Sequence, residues 1–310
     1  MAEKRVDSAR VPPQGAGFGS GKVILLGEHA VVYGVPAIAC GIDKGAEAVA
    51  RPCSTDHIVF CGHELEPQHE LYVSLLRLRE SLGVSPARLE LELAIPAGAG
   101  LGSSAAMAIA AARALCQLHG RLASNRELQL AAHAWEQVFH GTPSGIDAAA
   151  ARSPGVVRYV RGDEPEPLAL GRPLRLAIAQ AGPSASTREM VQGVAKLKER
   201  NPEQFDKTLA AIESLVQNAL VVLRQGDYQA LGKLMDLNHM LLAGWMLSTS
   251  ELEAAILLAR EGGALGAKLT GAGGGGCVVA LCAGEVEQEK ILEAWAGCGL
   301  HCFSTLVEQS

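Results

Sequence analysis

The chain has 310 residues, 48% of them hydrophobic and 19% charged, enough for two domains that each bury a core and too apolar for a disordered chain. Lys and Arg number 27 against 33 Asp and Glu, a net charge of −6, and aromatics are 4%, which together argue against nucleic acid or an anionic membrane as the main partner. No run reaches the ~20 consecutive apolar residues of a membrane span.

The N-terminus, MAEKRVDSARVPPQGAGFGS, lacks an apolar centre and reads as a flexible polar tail over residues 1–20, not as a signal peptide or anchor. Val23 to Leu26 is a short apolar run, and Ala37 to Ala50 and His57 to Phe60 read as strands. Leu71 to Leu82 has helical periodicity, and Arg88 to Ile95 alternates as a half-buried strand. An Ala-rich helix, Ser104 to His119, follows. Ser124 with Glu127 forms a capping box for the next helix, which runs to about His140 and stops at Gly141. A short helix covers Ile146 to Ala151 and a strand Val156 to Val160.

Gly162 to Pro173 is charged and proline-bearing and is expected to join two domains, 1–172 and 173–310. Beyond it come a strand, Leu174 to Ala179, and helices at Glu203 to Arg224, Tyr228 to Ala243 and Leu252 to Gly262. The last carries Ser250 and Glu253 as a capping box. The strand Cys277 to Cys282, a helix at Glu285 to Ala296 and the strand Phe303 to Val307 complete a mixed α/β chain. Its eight cysteines contain no CxxC pair, so reduced thiols in the cytoplasm are expected, without structural zinc.

Glycine clusters at Gly15 to Gly34, Gly98 to Gly102 and Gly271 to Gly276, a distribution that suggests a site built from loops. In the middle cluster a strand enters Pro96-Ala97-Gly98-Ala99-Gly100-Leu101-Gly102 and leaves into a helix opening with Ser103 and Ser104. Unpaired N–H groups at the positive end of a helix dipole suit a polyphosphate, and either serine can offer a hydroxyl to phosphate or Mg²⁺. The loop is not a dinucleotide fingerprint: Ser103 replaces the third small residue, and no strand with an acidic end follows the helix. Nor is there a Walker A loop, since Gly21-Lys22 has Ala16 at the required glycine and Val23 after the lysine.

Three segments resemble the motifs of the galactokinase, homoserine kinase, mevalonate kinase and phosphomevalonate kinase (GHMP) superfamily: Gly21-KVILLGEHAVVYG-Gly34, Pro96-AGAGLGSSAA-Ala106 and Lys268-LTGAGGGGC-Cys277. GEHAVVYG, His140-GTPSGID-Asp147 and Ser186-TREMV-Val191 are similar to the mevalonate kinase branch. Two departures stand out. Ser20 takes the place of the family's proline, and Trp245-Met246-Leu247-Ser248 lacks the glycine of a Leu-Gly-Val-Ser stretch, a change expected to touch the substrate or nucleotide rim.

The resemblance implies a two-domain GHMP kinase fold, α/β plus α+β, with a ribosomal-protein-S5-like N-terminal domain and a ferredoxin-like C-terminal domain. It implies transfer of the γ-phosphoryl group of ATP to mevalonate with Mg²⁺, in a cytoplasmic enzyme that forms a homodimer. Asp147, which otherwise reads as a helix-start carboxylate, would accept the hydroxyl proton, and Lys22, otherwise a surface lysine, would pair with it. Glu136 ends its helix, where a carboxylate is unfavourable without a cation; the resemblance supplies Mg²⁺ shared by Glu136, Ser104 and the phosphates. Pro96, Gly98, Ala99, Gly100, Leu101, Gly102, Ser103 and Ser104 would hold the nucleotide. Glu28, His29, Ser186, Thr187 and Gly273 would meet the substrate, and Lys196 and Lys198 would form a solvated helix face. A phosphorylated acceptor would need further Lys or Arg, and no basic cluster adjoins the motifs.

Overall fold

The computed structural model describes residues 14–139, 145–152 and 155–308. The first part of the chain runs β1 (Gly15–Leu26), a 3₁₀ turn (Ala30–Tyr33), β2 (Ala37–Pro52), β3 (His57–Phe60), β4 (His63–Glu64), α1 (Glu70–Leu82) and β5 (Ala87–Leu93). It continues through α2 (Ser103–Leu118), α3 (Asn125–Glu136), α4 (Ile146–Ala151), β6 (Gly155–Tyr159) and β7 (Glu166–Leu168). The second part holds β8 (Leu174–Gln180), α5 (Thr187–Arg200), α6 (Pro202–Gln225), α7 (Tyr228–Gly244), α8 (Ser250–Glu261), β9 (Gly266–Thr270), β10 (Cys277–Cys282), α9 (Glu285–Gly297) and β11 (His301–Val307).

The strands form a seven-stranded and a four-stranded sheet. In the larger one β2 is the spine. Residues 38–50 of it pair antiparallel with β1, with two register shifts, while on its other edge Ala37–Gly41 pairs with β6 and Ala46–Pro52 with β5. Helices α1, α2 and α3 cover one face and share a core with it, centred on the alanines of α2 and on Trp135. The smaller sheet has the order β11-β8-β10-β9, all antiparallel, and with α5–α8 and α9 as crossovers it follows the β-α-β-β-α-β ferredoxin-like order. A second core joins the halves, because Val23, Leu25 and Leu26 of β1 pack in the same cluster as Leu269 of β9 and Val278 of β10.

The expected flexible tail ends earlier than residue 20: Gly15–Ser20 belongs to β1, in register with Gly45–Ala50. Glycine is a poor strand former, but here its lack of a side chain is the reason for the strand. A Cβ on Gly15, Gly17 or Gly19 would fall inside the carbonyl oxygen of Ala114, Ala110 or Ala106 of α2. Two strand residues advance ~6.6 Å and four helical residues ~6 Å, so the two repeats run in step and the backbones lie together.

Other differences have local causes. The proline-bearing segment 162–173 contains β7, paired with β6. β9, a five-residue strand preceding the third glycine cluster, shows no alternation because it is buried on both faces. Ser124 and Glu127 do form a capping box, but α3 ends at Glu136, short of His140, which lies outside the described residues. At α8 the cap is Thr249, whose side chain accepts from the Leu252 N–H, and not Ser250. Lys198 is exposed as expected, yet its ammonium stands over the rings of Tyr33 (5.1 Å) and Phe205 (5.8 Å).

Met246, in the stretch that lacks the expected glycine, has a φ of +62° and is 81% exposed. The turn around it backs the third glycine loop through Leu247, whose carbonyl accepts from the Gly274 N–H at 2.8 Å, and does not border the site cavity. Met246→Gly should therefore raise stability by about 1 kcal/mol, since it relieves left-handed strain and loses almost no burial. Gly17→Ala should lower it by about 2 kcal/mol by driving a methyl into the α2 backbone. Urea unfolding midpoints at constant m-value check both.

Candidate active site

The pairing of β1 with β2 shifts between Ser20 and Lys22, a bulge that re-aims the following side chain. Lys22 is thereby turned inward. It is 3% exposed, with Nζ 3.1 Å from Oδ1 of Asp147 on the first turn of α4. The Lys22 backbone N–H donates to the Leu101 carbonyl at 2.9 Å, stitching β1 to the middle glycine loop. Gly102 completes the fit, since a Cβ there would stand 2.8 Å from Cγ of Lys22.

That loop alternates anchors with openings. Ala99 and Leu101 are buried in the core, whereas Gly98, Gly100 and Gly102 have φ of 69°, 83° and 72°, which only glycine adopts freely. Ser103 Oγ accepts from the Gly98 N–H at 3.3 Å and closes the loop on the start of α2. The arrangement of Pro96 through Ser104 matches an anion cradle on a helix N-terminus. Ala99 and Leu101 can contribute only their backbone to it.

The Oγ of Ser104 is buried without a partner among the described residues. Glu136, at the C-terminal end of α3, is 4% exposed, and its carboxyl is pushed up to about 8, mainly by burial, with Asp147 adding and Lys22 opposing. An unsatisfied hydroxyl and a buried carboxylate short of positive charge suit a hard divalent cation. Among the described residues no three His, Cys, Asp or Glu side chains cluster for a metal, so a ligand's oxygens would have to complete the shell.

On the opposite wall lies the Gly27-Glu28-His29 turn. Glu28 is 1% exposed and borders the cavity, but both its oxygens are engaged. Oε1 is ion-paired with the buried Lys268 of β9, and Oε2 accepts from Asn238 Nδ2 of α7 at 3.1 Å. His29 has φ 59° and ψ −43°, outside the regions a histidine prefers. Its Nε2 lies 2.7 Å from the Ala272 carbonyl, which can only accept, so Nε2 carries the proton. Burial pulls the His29 pKa below its ordinary value, with the Ala272 bond opposing, and the neutral ring keeps Nδ1 as an acceptor.

These groups border a cavity of about 460 Å³. Lys22, Glu28, His29, Gly100, Glu136 and Asp147 all line it, as does Thr187 of α5. Ser186, the N-terminal cap residue of α5, is not on the wall. Gly273 is not either: a Cβ on it would strike the Leu247 backbone, so it serves the packing of its loop, and the neighbours that reach the cavity are Gly271 and Ala272. The Pro-Ser-Gly turn before Asp147 lies outside the described residues up to Ser144. Arg161 and Arg188 also line the cavity, two arginines beside the motifs where no basic cluster was expected. Arg188 lies within the Ser186–Val191 segment and Lys268 opens the third glycine motif, so both were legible in the sequence; Arg161 and Asn238 had no local signal, because their partners are distant in sequence.

Residues 70–155 match the family described as GHMP kinases N terminal domain, and residues 219–299 match GHMP kinases C terminal. The chain is 34% identical to the mevalonate kinase of Aeropyrum pernix, over 88% of this chain and 91% of that one. It is 38% identical to that of Methanothermobacter thermautotrophicus, over 86% and 89%. The crystal structure of L. major mevalonate kinase in complex with R-mevalonate superposes with a TM-score of 0.87 at 31% identity, covering 97% of this chain and 98% of that one.

The tightness around Lys22 makes Gly102→Ala informative. The added methyl should push the lysine away from Asp147 and lower phosphoryl-transfer turnover about 100-fold, while unfolding stability drops by only ~1–2 kcal/mol. Steady-state kinetics beside urea titration separate the two effects.

Proposed function

We infer, for a chain that belongs to the mevalonate kinases of the GHMP kinase family, that the cavity beside Lys22 is where nucleotide and alcohol meet. The chain phosphorylates (R)-mevalonate to (R)-5-phosphomevalonate at the expense of ATP, a step in the mevalonate route to isoprenoids. The observation that carries the assignment of the site is the Lys22–Asp147 pair at 3.1 Å on the wall of a cavity that also touches Gly100 and Glu136.

The loop from Pro96 to Ser104 cradles the phosphates with its N–H groups. The γ-phosphoryl group passes directly and in line to the primary hydroxyl, which needs positioning and charge stabilisation more than covalent chemistry. Asp147 takes the hydroxyl proton late, as the phosphoryl group arrives. Lys22 holds Asp147 in place and offsets charge developing on the transferred oxygens. Glu136 and Ser104 would hold Mg²⁺, which supplies charge neutralisation to the phosphates when bound.

Mevalonate carries its own carboxylate, and Arg161 and Arg188 are the exposed cations on the cavity wall suited to receive it. Thr187 and the His29 Nδ1 acceptor remain for the hydroxyl groups. No helix among the described residues is long and apolar enough to cross a membrane. Mg²⁺ as the metal, a cytoplasmic location, association into a homodimer, and two domains meeting near residue 172 complete the proposal, supported by the family resemblance.

Asp147→Asn tests the central role. Turnover measured by coupled ADP release should fall by about 10²–10⁴-fold, with mevalonate still binding in calorimetry. Wild-type turnover on mevalonate, set against phosphomevalonate, homoserine and galactose, fixes the acceptor. An Asp147→Asn enzyme with near-normal kcat would remove the residue from the mechanism.

A further inference from the structure

The buried contacts of Glu28 have no part in phosphoryl transfer, yet they tie together a lysine, a carboxylate and an amide that are each 1% exposed or less. Lys268 is fully buried, and its three ammonium protons meet three acceptors: Oε1 of Glu28 and the backbone carbonyls of Leu269 at 2.6 Å and Ile24 at 3.4 Å. Asn238 holds the second carboxylate oxygen at 3.1 Å. Two residues further along the same face of β9, Thr270 Oγ1 accepts from the Ile24 N–H at 2.8 Å. The edge strand of the smaller sheet thus grips the end of β1 at Ile24 and again at Glu28.

A carboxylate held on both oxygens acts through its neighbour. His29 sits in a sparsely populated backbone conformation, which persists only where its surroundings over-determine it. Glu28 fixes it from one side and the Ala272 carbonyl from the other. A buried ion pair is by itself weak support for stability, because desolvation offsets most of the attraction. Positioning is the better account of its presence here.

We propose that Lys268 and Asn238 are positioning residues: from the second half of the chain they clamp Glu28, and through it hold His29 at the wall of the alcohol pocket. The inference rests on the reading of that cavity as the mevalonate site.

Two variants test it. Lys268→Met paired with Glu28→Gln removes both buried charges together, so neither is left uncompensated. Asn238→Ala leaves the ion pair intact and loosens only the second carboxylate oxygen. The clamp predicts a KM for mevalonate raised about tenfold or more in the double variant and about threefold in Asn238→Ala. The KM for ATP should stay within about twofold in both, and mevalonate affinity in calorimetry without nucleotide should weaken by the same factors. Mevalonate binding at wild-type strength in either folded variant would overturn the clamp. So would a parallel rise of both KM values with loss of stability, which marks a merely structural pair. Wild-type and Asp147→Asn proteins that both fail to bind mevalonate would instead overturn the reading of the cavity, and the clamp with it.

Discussion

The close approach of a glycine strand to an alanine helix is the constraint from which the site follows. Gly15, Gly17 and Gly19 give up side chains so that β1 can lie against the backbone of α2. The helix that results starts where the middle glycine loop ends, and β1 continues through a bulge to Lys22. Loop and lysine are therefore positioned by one packing event, sealed by the Lys22 N–H to Leu101 bond. A larger residue in either stripe would separate the anion cradle from the cation that must work beside it.

The smaller sheet contributes the opposite wall. Among the described residues its edge strand β9 pairs only with β10, and its side chains reach across to β1, with Lys268 and Thr270 meeting Ile24 and Glu28. The third glycine loop, continuous with β9, brings Ala272 to His29 and Gly271 to Gly100. The pocket is thus assembled from both halves, and a shift of one against the other would alter the Glu28 clamp and the loop contact together.

What could be read in the sequence was what depends on neighbours. Alternation located β5, the capping box located α3, and the glycine clusters pointed to loops that gather around one cavity. What could not be read depended on contacts across the chain. Gly15–Ser20 looks like a tail because its strand character comes from α2, about a hundred residues away in sequence. Glu28 was expected to meet the substrate, and its engagement by Lys268 could not be read because that lysine lies 240 residues further on. Gly273 looks like open space for substrate because the Leu247 carbonyl that fills it belongs to a distant turn. Met246 shows the reverse case, a left-handed backbone conformation held without a glycine.

Burial sorts the charged groups of the site by task. Lys22 is 3% exposed, the Asp147 side chain 37% and Glu136 4%, so one lysine faces two carboxylates and cannot balance both. Burial is what chiefly pushes the Glu136 carboxyl up to about 8; the neighbouring Asp147 charge adds to it, and Lys22 only partly opposes. Asp147, closest to the lysine and most exposed of the three, keeps its ion pair while bordering the cavity. A buried carboxylate that needs a cation and a half-exposed one that already has its cation are suited to different work: the first to hold a metal against phosphate, the second to receive a proton.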